Sequence, residues 1–293
     1  MAEPTETARH TELWDYPRLA REDPKKLPWY LTDIEDLGDE TRSLFEDYSK
    51  IPPMDVEAHI KATRDRAFQI YPYPCLGRFD FLDFSISRSP HFNDIVQRIQ
   101  KGDKYLDIGC CVGQDIRKLA QAGAPSENMY GSDLEQEFMN IGYDLFRDKS
   151  DIKATFIAAN ILDPDSDLRR LDGKIDIVHA ASFFHLFSWE ESVKACSRVA
   201  MLLKPQPGGI VVGRQIGHEF PGAMASSIHS DKKRFRHNAD TFAKMWEEVG
   251  TLTGTKWAVE AKLGDLDLSQ VVGDMREILT KGTRWLSFTV WRV

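Results

Sequence analysis

The sequence predicts an α/β chain, with a doubly wound sheet that begins near residue 100 and a mainly helical N-terminal cap above it. Three observations carry this. After Gly102, short apolar runs alternate with amphipathic segments, the rhythm of a parallel sheet with helical crossovers. The run 175–180 is apolar nearly throughout, as a strand buried on both faces is. Upstream of residue 95, apolar residues recur at helical spacing between prolines.

The cap region is taken as residues 1–95 and the core as 96–293. Residues 1–26 are rich in charge, Pro and Thr and predict a frayed start. From Trp29 to Lys50 the residues Ile34, Leu37, Leu44, Phe45 and Tyr48 fall at roughly helical spacing, and Pro52-Pro53 ends that element. Val56–Ile70 predicts a second helix. Tyr71–Ser87 is aromatic and broken by Pro; it is too apolar for a free linker and predicts an ordered loop lying across something. Ser89-Pro90 opens a helix through Gln100.

In the core, strands are predicted at Tyr105–Ile108, Asn128–Gly131, Ala154–Ala158, Ile175–Ala180, Gly209–Val212, Lys256–Ala261 and Trp285–Trp291, a seven-stranded sheet. Helices are predicted at Gln114–Ala122, closed by Gly123, at Leu134–Arg147, and at Thr241–Leu252. Another runs from a capping box, Ser188 with Glu191 three residues on, to Leu203. A final strand that terminates the chain suits an antiparallel insertion.

Composition excludes several functions. The formal net charge of −8 disfavours nucleic acid, since an acidic surface repels a phosphate backbone. The one dense basic run, Lys232, Lys233, Arg234 and Arg236, reads as a solvated loop or helix start. Cys75, Cys110, Cys111 and Cys196 form no C-x-x-C pair, so zinc is not expected and all four read as reduced thiols of a cytoplasmic protein. No apolar leader is visible, and no stretch approaches the ~18 apolar residues a membrane span needs. No carboxylate–His cluster has ligand spacing, so no metal is expected. The oligomeric state stays open.

The sharpest chemical signal is the run Leu106-Asp107-Ile108-Gly109-Cys110-Cys111-Val112-Gly113-Gln114, in which a strand enters a glycine-containing turn and then a helix. Glycine admits close backbone approach, and ligands of open α/β sheets sit at the carboxyl ends of strands. The turn from Gly109 through Cys110 and Gly113 to Gln114 is therefore the expected cofactor site. A dinucleotide would place its pyrophosphate here, where Asp107 repels it, and the glycines miss the G-x-G-x-x-G spacing. S-adenosylmethionine carries an ammonium, a sulfonium and no phosphate, so Asp107 suits its amino group. Asp133, followed by Leu134, ends the next strand and can accept both ribose hydroxyls. Asn160 can meet the adenine amino group and the Ile161 N–H a ring nitrogen.

LDIGCCVGQD, YGSDL, AAN and DIVHAASFFHLFSW resemble the class I S-adenosylmethionine-dependent methyltransferases. With PYPCLGRFDFLDFSIS and MWEEVGTLTGTKW, the chain from about residue 50 to 293 is similar to fungal secondary-metabolite O-methyltransferases. Those serve polyketide-pyrone pathways of the aurovertin and citreoviridin type and meroterpenoid pathways of the austinol, andrastin and terretonin type. Two positions depart from the class I pattern: Cys111 replaces the middle glycine and Asn160 an aspartate. The resemblance implies a Rossmann-like methyltransferase sheet, S-adenosylhomocysteine as product, and methyl transfer to an acidic oxygen of a small natural product.

An acidic acceptor is largely ionised at neutral pH, so a strong base is not required. If a base acts, His185 is the candidate, because it follows the fourth strand at the edge where the methyl must point. Arg214 and Gln215 follow the fifth strand on the same edge and are candidates for holding the acceptor. Gly217–Ser230 has the composition of a lid. A rival reading keeps the cofactor as a fixed charge in a pericyclase-like protein that transfers no methyl. A protein or RNA methyltransferase is disfavoured by the acidic balance and the apolar cap.

Overall fold

The structure, a computed structural model, describes residues 22–225, 233–266 and 281–293. The parallel strands are β1 (Tyr105–Ile108), β2 (Met129–Asp133), β3 (Thr155–Ala158), β4 (Ile177–His179) and β5 (Ile210–His218). A separate two-stranded hairpin is formed by β6 (Gly222–Ala225) and β7 (Lys233–Arg236). Finally β8 (Trp257–Gly264) and β9 (Thr283–Arg292) complete a seven-stranded sheet in the order β3-β2-β1-β4-β5-β9-β8. β9 is antiparallel to both neighbours, the insertion expected from the sequence. The order reverses between β1 and β4, which opens a crevice at their carboxyl ends.

Alternation along the strands assigns the two faces. Leu106, Val178 and Val211 point to the side covered by α6 (Trp189–Leu202) and α7 (Ala239–Thr253). Tyr105, Ile177, Ile210 and Val212 point to the side covered by α3 (Phe92–Gln100) and α4 (Gln114–Gln121). Both α6 and α7 start in capping boxes, Ser188 with Glu191 and Asn238 with Thr241. The expected helix over Leu134–Arg147 begins later, as α5 (Gln136–Phe146).

The cap is more irregular than its sequence spacing predicts. Between Trp29 and Lys50 only α1 (Gly38–Ser43) is α-helical, and it widens into a π turn over Leu44–Tyr48. α2 (Val56–Ile70) matches its prediction. The 71–87 segment is the ordered covering loop that was expected, a run of single turns burying Phe79, Phe81 and Phe84. Arg64 organises it: fully desolvated, it donates to the carbonyls of Gly77 (2.7 Å) and Leu31 (2.8 Å) and lies 3.9 Å from the Phe79 ring. The cap shares one apolar core with α5, through Phe45, Phe68, Phe138 and Phe146.

Three sequence readings are corrected. β5 runs to His218 because β9 pairs with it from Ile210↔Trp291 to His218↔Thr283, so Arg214 and Gln215 lie inside the strand rather than after it. The expected lid over Gly217–Ser230 contains the end of β5 and all of β6; its residues 226–230 lie outside the described residues. The basic run is no helix start: Lys233, Arg234 and Arg236 are on β7, and Lys232 lies outside the described residues. Among the described residues no helix is long and apolar enough to cross a membrane.

The cap meets the core at a buried ion pair. Arg117 on α4 is fully buried and grips Asp148 through Nε (2.9 Å) and Nη2 (3.0 Å), while Nη1 donates to the Val112 carbonyl (3.2 Å). Tyr48 of the cap donates to the same carboxylate at 2.8 Å. Removing one partner leaves an uncompensated charge in the interior. Asp148→Ala is expected to cost about 3–5 kcal/mol and Tyr48→Phe about 1 kcal/mol, read by urea unfolding. Equal, small losses for both variants would show that the pair does not hold the cap.

Candidate active site

All four residues of β1 are buried, and the chain leaves the strand through three left-handed positions in five: Gly109 (φ +71°), Cys111 (φ +51°) and Gly113 (φ +70°). The curl directs the N–H groups of Gly109 and Cys110 at one acceptor, the Ser132 carbonyl, at 2.7 and 3.0 Å. The two glycines are also required by packing. A Cβ on Gly109 would lie 2.6 Å from the Phe183 ring, and one on Gly113 would strike Arg117 and Phe156. Cys111 adopts the backbone of the glycine it replaces, and its N–H is held by Asp133 Oδ2 at 2.8 Å.

Asp133, at the end of β2, thus clamps the turn; its other oxygen accepts the Glu135 N–H at 3.2 Å. Each oxygen keeps lone-pair capacity for a ligand hydroxyl. Burial raises its pKa, against the lowering effect of those N–H bonds. Beside it Leu134 is 61% exposed, an apolar side chain left open at the mouth of the cleft. Across β3, Ile161 is buried, while Asn160 is exposed and its Oδ1 caps the turn by accepting the Leu162 N–H at 2.9 Å.

Asp107 is almost completely buried, and sequence reasoning missed its partner. In parallel register it faces His179 of β4, and Oδ1 lies 2.9 Å from His179 Nδ1. Burial raises the Asp107 pKa, while His179 opposes the shift. For His179, burial lowers the pKa, and the Asp107 charge and hydrogen bond outweigh it to give a net rise. Asp107 Oδ2, His179 Nε2 and Gln114 Oε1 are all buried without a hydrogen-bond partner. The one signal in the sequence is a histidine ending an otherwise apolar strand. Asp107, Asp115 and His179 each bring a ligand atom within 4.8 Å of the others, a triad that chain spacing did not reveal. Asp115 already accepts the Ile86 N–H at 2.8 Å and Gln114 Nε2 at 3.2 Å.

The cleft fits S-adenosylmethionine. It offers an unpartnered carboxylate oxygen for an ammonium, a second carboxylate for two hydroxyls and an exposed leucine for a flat ring. The four cysteines are free thiols. Burial pushes the Cys75 thiol up to about 12, and those of Cys110 and Cys111 well above the usual range.

At the acceptor edge the predicted residues part company. His185 sits on a 3-10 turn after β4, where Nδ1 accepts the Ile216 N–H at 3.2 Å and its carbonyl accepts from Arg236 Nη1 at 2.6 Å. Burial, then the charges of Arg236 and Arg234, hold its pKa well below the usual value. Arg214 forms an ion pair with Asp83 of the cap and lies 4.6 Å from the Trp285 ring. Gln215 is fully buried with neither amide atom hydrogen-bonded. Strand alternation puts Arg214 with Val212 and Gln215 with Val211, on opposite faces, so the structure does not bring the two together.

Residues 29–82 match the meroterpenoid methyltransferase N-terminal domain, and residues 106–207 match a methyltransferase domain. The chain is 43% identical over 276 residues to the O-methyltransferase atr3 of Stereocaulon alpinum, across 94% of this chain and 78% of that one. It is 46% identical over 247 residues to the O-methyltransferase phiE of a fungal species, across 81% and 80%. It is 42% identical over 228 residues to nvfJ of Aspergillus novofumigatus, an asnovolin E/chermesin D methyltransferase, across 78% and 82%.

The conformation of Cys111 yields a stability test. Cys111→Gly is expected to stay within about 1 kcal/mol of the parent, and Cys111→Val to cost a further ~1–2 kcal/mol, because a β-branched side chain opposes positive φ. Thermal unfolding measures both, and indistinguishable midpoints would contradict a left-handed turn.

Proposed function

The chain belongs to the S-adenosylmethionine-dependent methyltransferases of fungal secondary metabolism, and from that premise we propose that it methylates an acidic oxygen, a pyrone or enol hydroxyl or a carboxyl, of a polyketide or meroterpenoid intermediate. The observation that carries the acidic acceptor is the state of His185. A neutral imidazole that accepts a backbone N–H at Nδ1 keeps its proton on Nε2, which is then a donor and no base. The candidate base is thereby a donor, which supports an acceptor that arrives already ionised.

S-adenosylmethionine supplies the methyl group and departs as a neutral thioether. In the proposed arrangement Asp107, oriented by His179, receives the amino group, and Asp133 the ribose hydroxyls. Leu134 and Ile161 flank the base, Asn160 and the Gly109–Gln114 turn complete the pocket, and the described part of the cap, 22–95, covers it. In-line transfer needs alignment and exclusion of water, and the aromatic covering loop supplies the dry wall. With an ionised oxygen as nucleophile, one C–O bond forms, one C–S bond breaks and no proton has to move. The pericyclase-like alternative is not favoured, since relatives at 43% and 46% identity are O-methyltransferases.

Two measurements test this. Asp133→Ala is expected to weaken S-adenosylhomocysteine binding about 10–100-fold by calorimetry, from the loss of charge-assisted hydrogen bonds; unchanged affinity refutes the assignment. Incubation with methyl-labelled cofactor and a panel of pyrone, enol and carboxylic acceptors should place the label on acceptor oxygen. A rearranged, unlabelled product would favour the pericyclase-like alternative.

A further inference from the structure

Interior arginines of this chain are, as a rule, partnered. Arg117 holds Asp148, Arg198 pairs with Asp172, Arg214 with Asp83, and Arg64 with Asp65 and two carbonyls. Arg234 departs from the rule. It is half-buried on β7, and among the described residues it has neither an ion pair nor a side-chain hydrogen bond. Its neighbour on the same strand face, Arg236, donates one N–H to the His185 carbonyl and, among the described residues, meets no carboxylate. The intervening Phe235 points the other way, onto Trp189 with ring centroids 5.0 Å apart.

The surroundings of the two arginines are those of the acceptor edge. Burial lowers the pKa of both, and among the described residues no carboxylate pairs with either; the phenols of Tyr71 and Tyr73 lie near Arg234. Those tyrosines lie in the covering loop, 4.3 Å apart between ring centroids, and Tyr73 in turn feels the charge of Asp133. Arg236 reaches His185, whose Nε2–H is a donor. Two adjacent guanidinium charges, partly stripped of water and unneutralised, are costly unless an anion joins them.

We propose that Arg234, backed by Arg236 and the His185 Nε2–H, is the receptor for the ionised group of the acceptor, an enolate or carboxylate. This rests on the acidic-acceptor reading above and moves the anion contact from Arg214, which the cap's Asp83 already neutralises, to the hairpin. A guanidinium offers a planar fork that matches a carboxylate or a vinylogous acid.

The test uses the full chain saturated with S-adenosylhomocysteine. The probes are 4-hydroxy-6-methyl-2-pyrone, an enolate at neutral pH, and its uncharged 4-methoxy counterpart, followed by ligand-observed NMR titration. R234Q is expected to bind the enolate about tenfold more weakly than the parent while binding the methoxy compound equally. R234K should fall between, since it keeps the charge and loses the fork; it carries the test if R234Q does not fold. K233Q, which removes an exposed charge next door, should bind as the parent does. Parental enolate affinity in R234Q or R234K, an equal loss in K233Q, or no enolate binding by the parent protein overturns the proposal. Failure of the parent to take up S-adenosylhomocysteine counts against the proposed function instead, and that titration is read separately.

Discussion

A buried guanidinium holds together the glycine turn after β1 and the N-terminal cap. Arg117 is anchored on α4 immediately after the glycine turn, and its donors reach the Val112 carbonyl on one side and Asp148 on the other. Tyr48 adds the cap to the same carboxylate, across 100 residues of chain. The charge of Arg117 is also ringed by aromatic faces, Phe156 at 4.9 Å, Phe146 at 5.1 Å and Tyr143 at 5.4 Å. A fully desolvated pair of this kind tolerates little displacement. The left-handed path through Gly109, Cys111 and Gly113 is thus held from behind by Arg117 and from the front by Asp133.

Much of this was legible in the sequence, because the fold depends on local pattern. Apolar runs of four to six residues separated by amphipathic segments locate the strands, and the reversal of order follows from right-handed crossovers. The glycine turn and Asp133 were legible for a similar reason: strand ends in such sheets face one crevice, so an acid at a strand end has few places to go. Cys111 shows how far such a pattern reaches. Cys111 takes the left-handed conformation that the pattern assigns to glycine, and its N–H donates to Asp133 there.

What was not legible depends on which residues meet across the chain. Arg214 and Asp83 are 131 positions apart, and nothing local announces their pairing. His179 and Asp107 meet only because β1 and β4 are adjacent in a given register. The extent of β5 is set by β9, whose opposite direction lets the ladder continue past the edge where the parallel strands stop. Along β7 the run Lys233-Arg234-Phe235-Arg236 hides a strand, since Phe235 is the one apolar residue in the four and no period can be read. Charge suggested solvent there, while pairing with β6 turned Arg234 and Arg236 inward.

Three thiols line the region around the turn: Cys75 in the covering loop, and Cys110 and Cys111 in the turn itself. Sulfur is a good nucleophile only as thiolate, and burial with nearby carboxylates keeps all three protonated at neutral pH. A sulfonium bound in the crevice as proposed would therefore meet no thiolate. Burial first, and the neighbouring acids second, keep these sulfurs in the thiol form, the form least able to compete for an alkyl group.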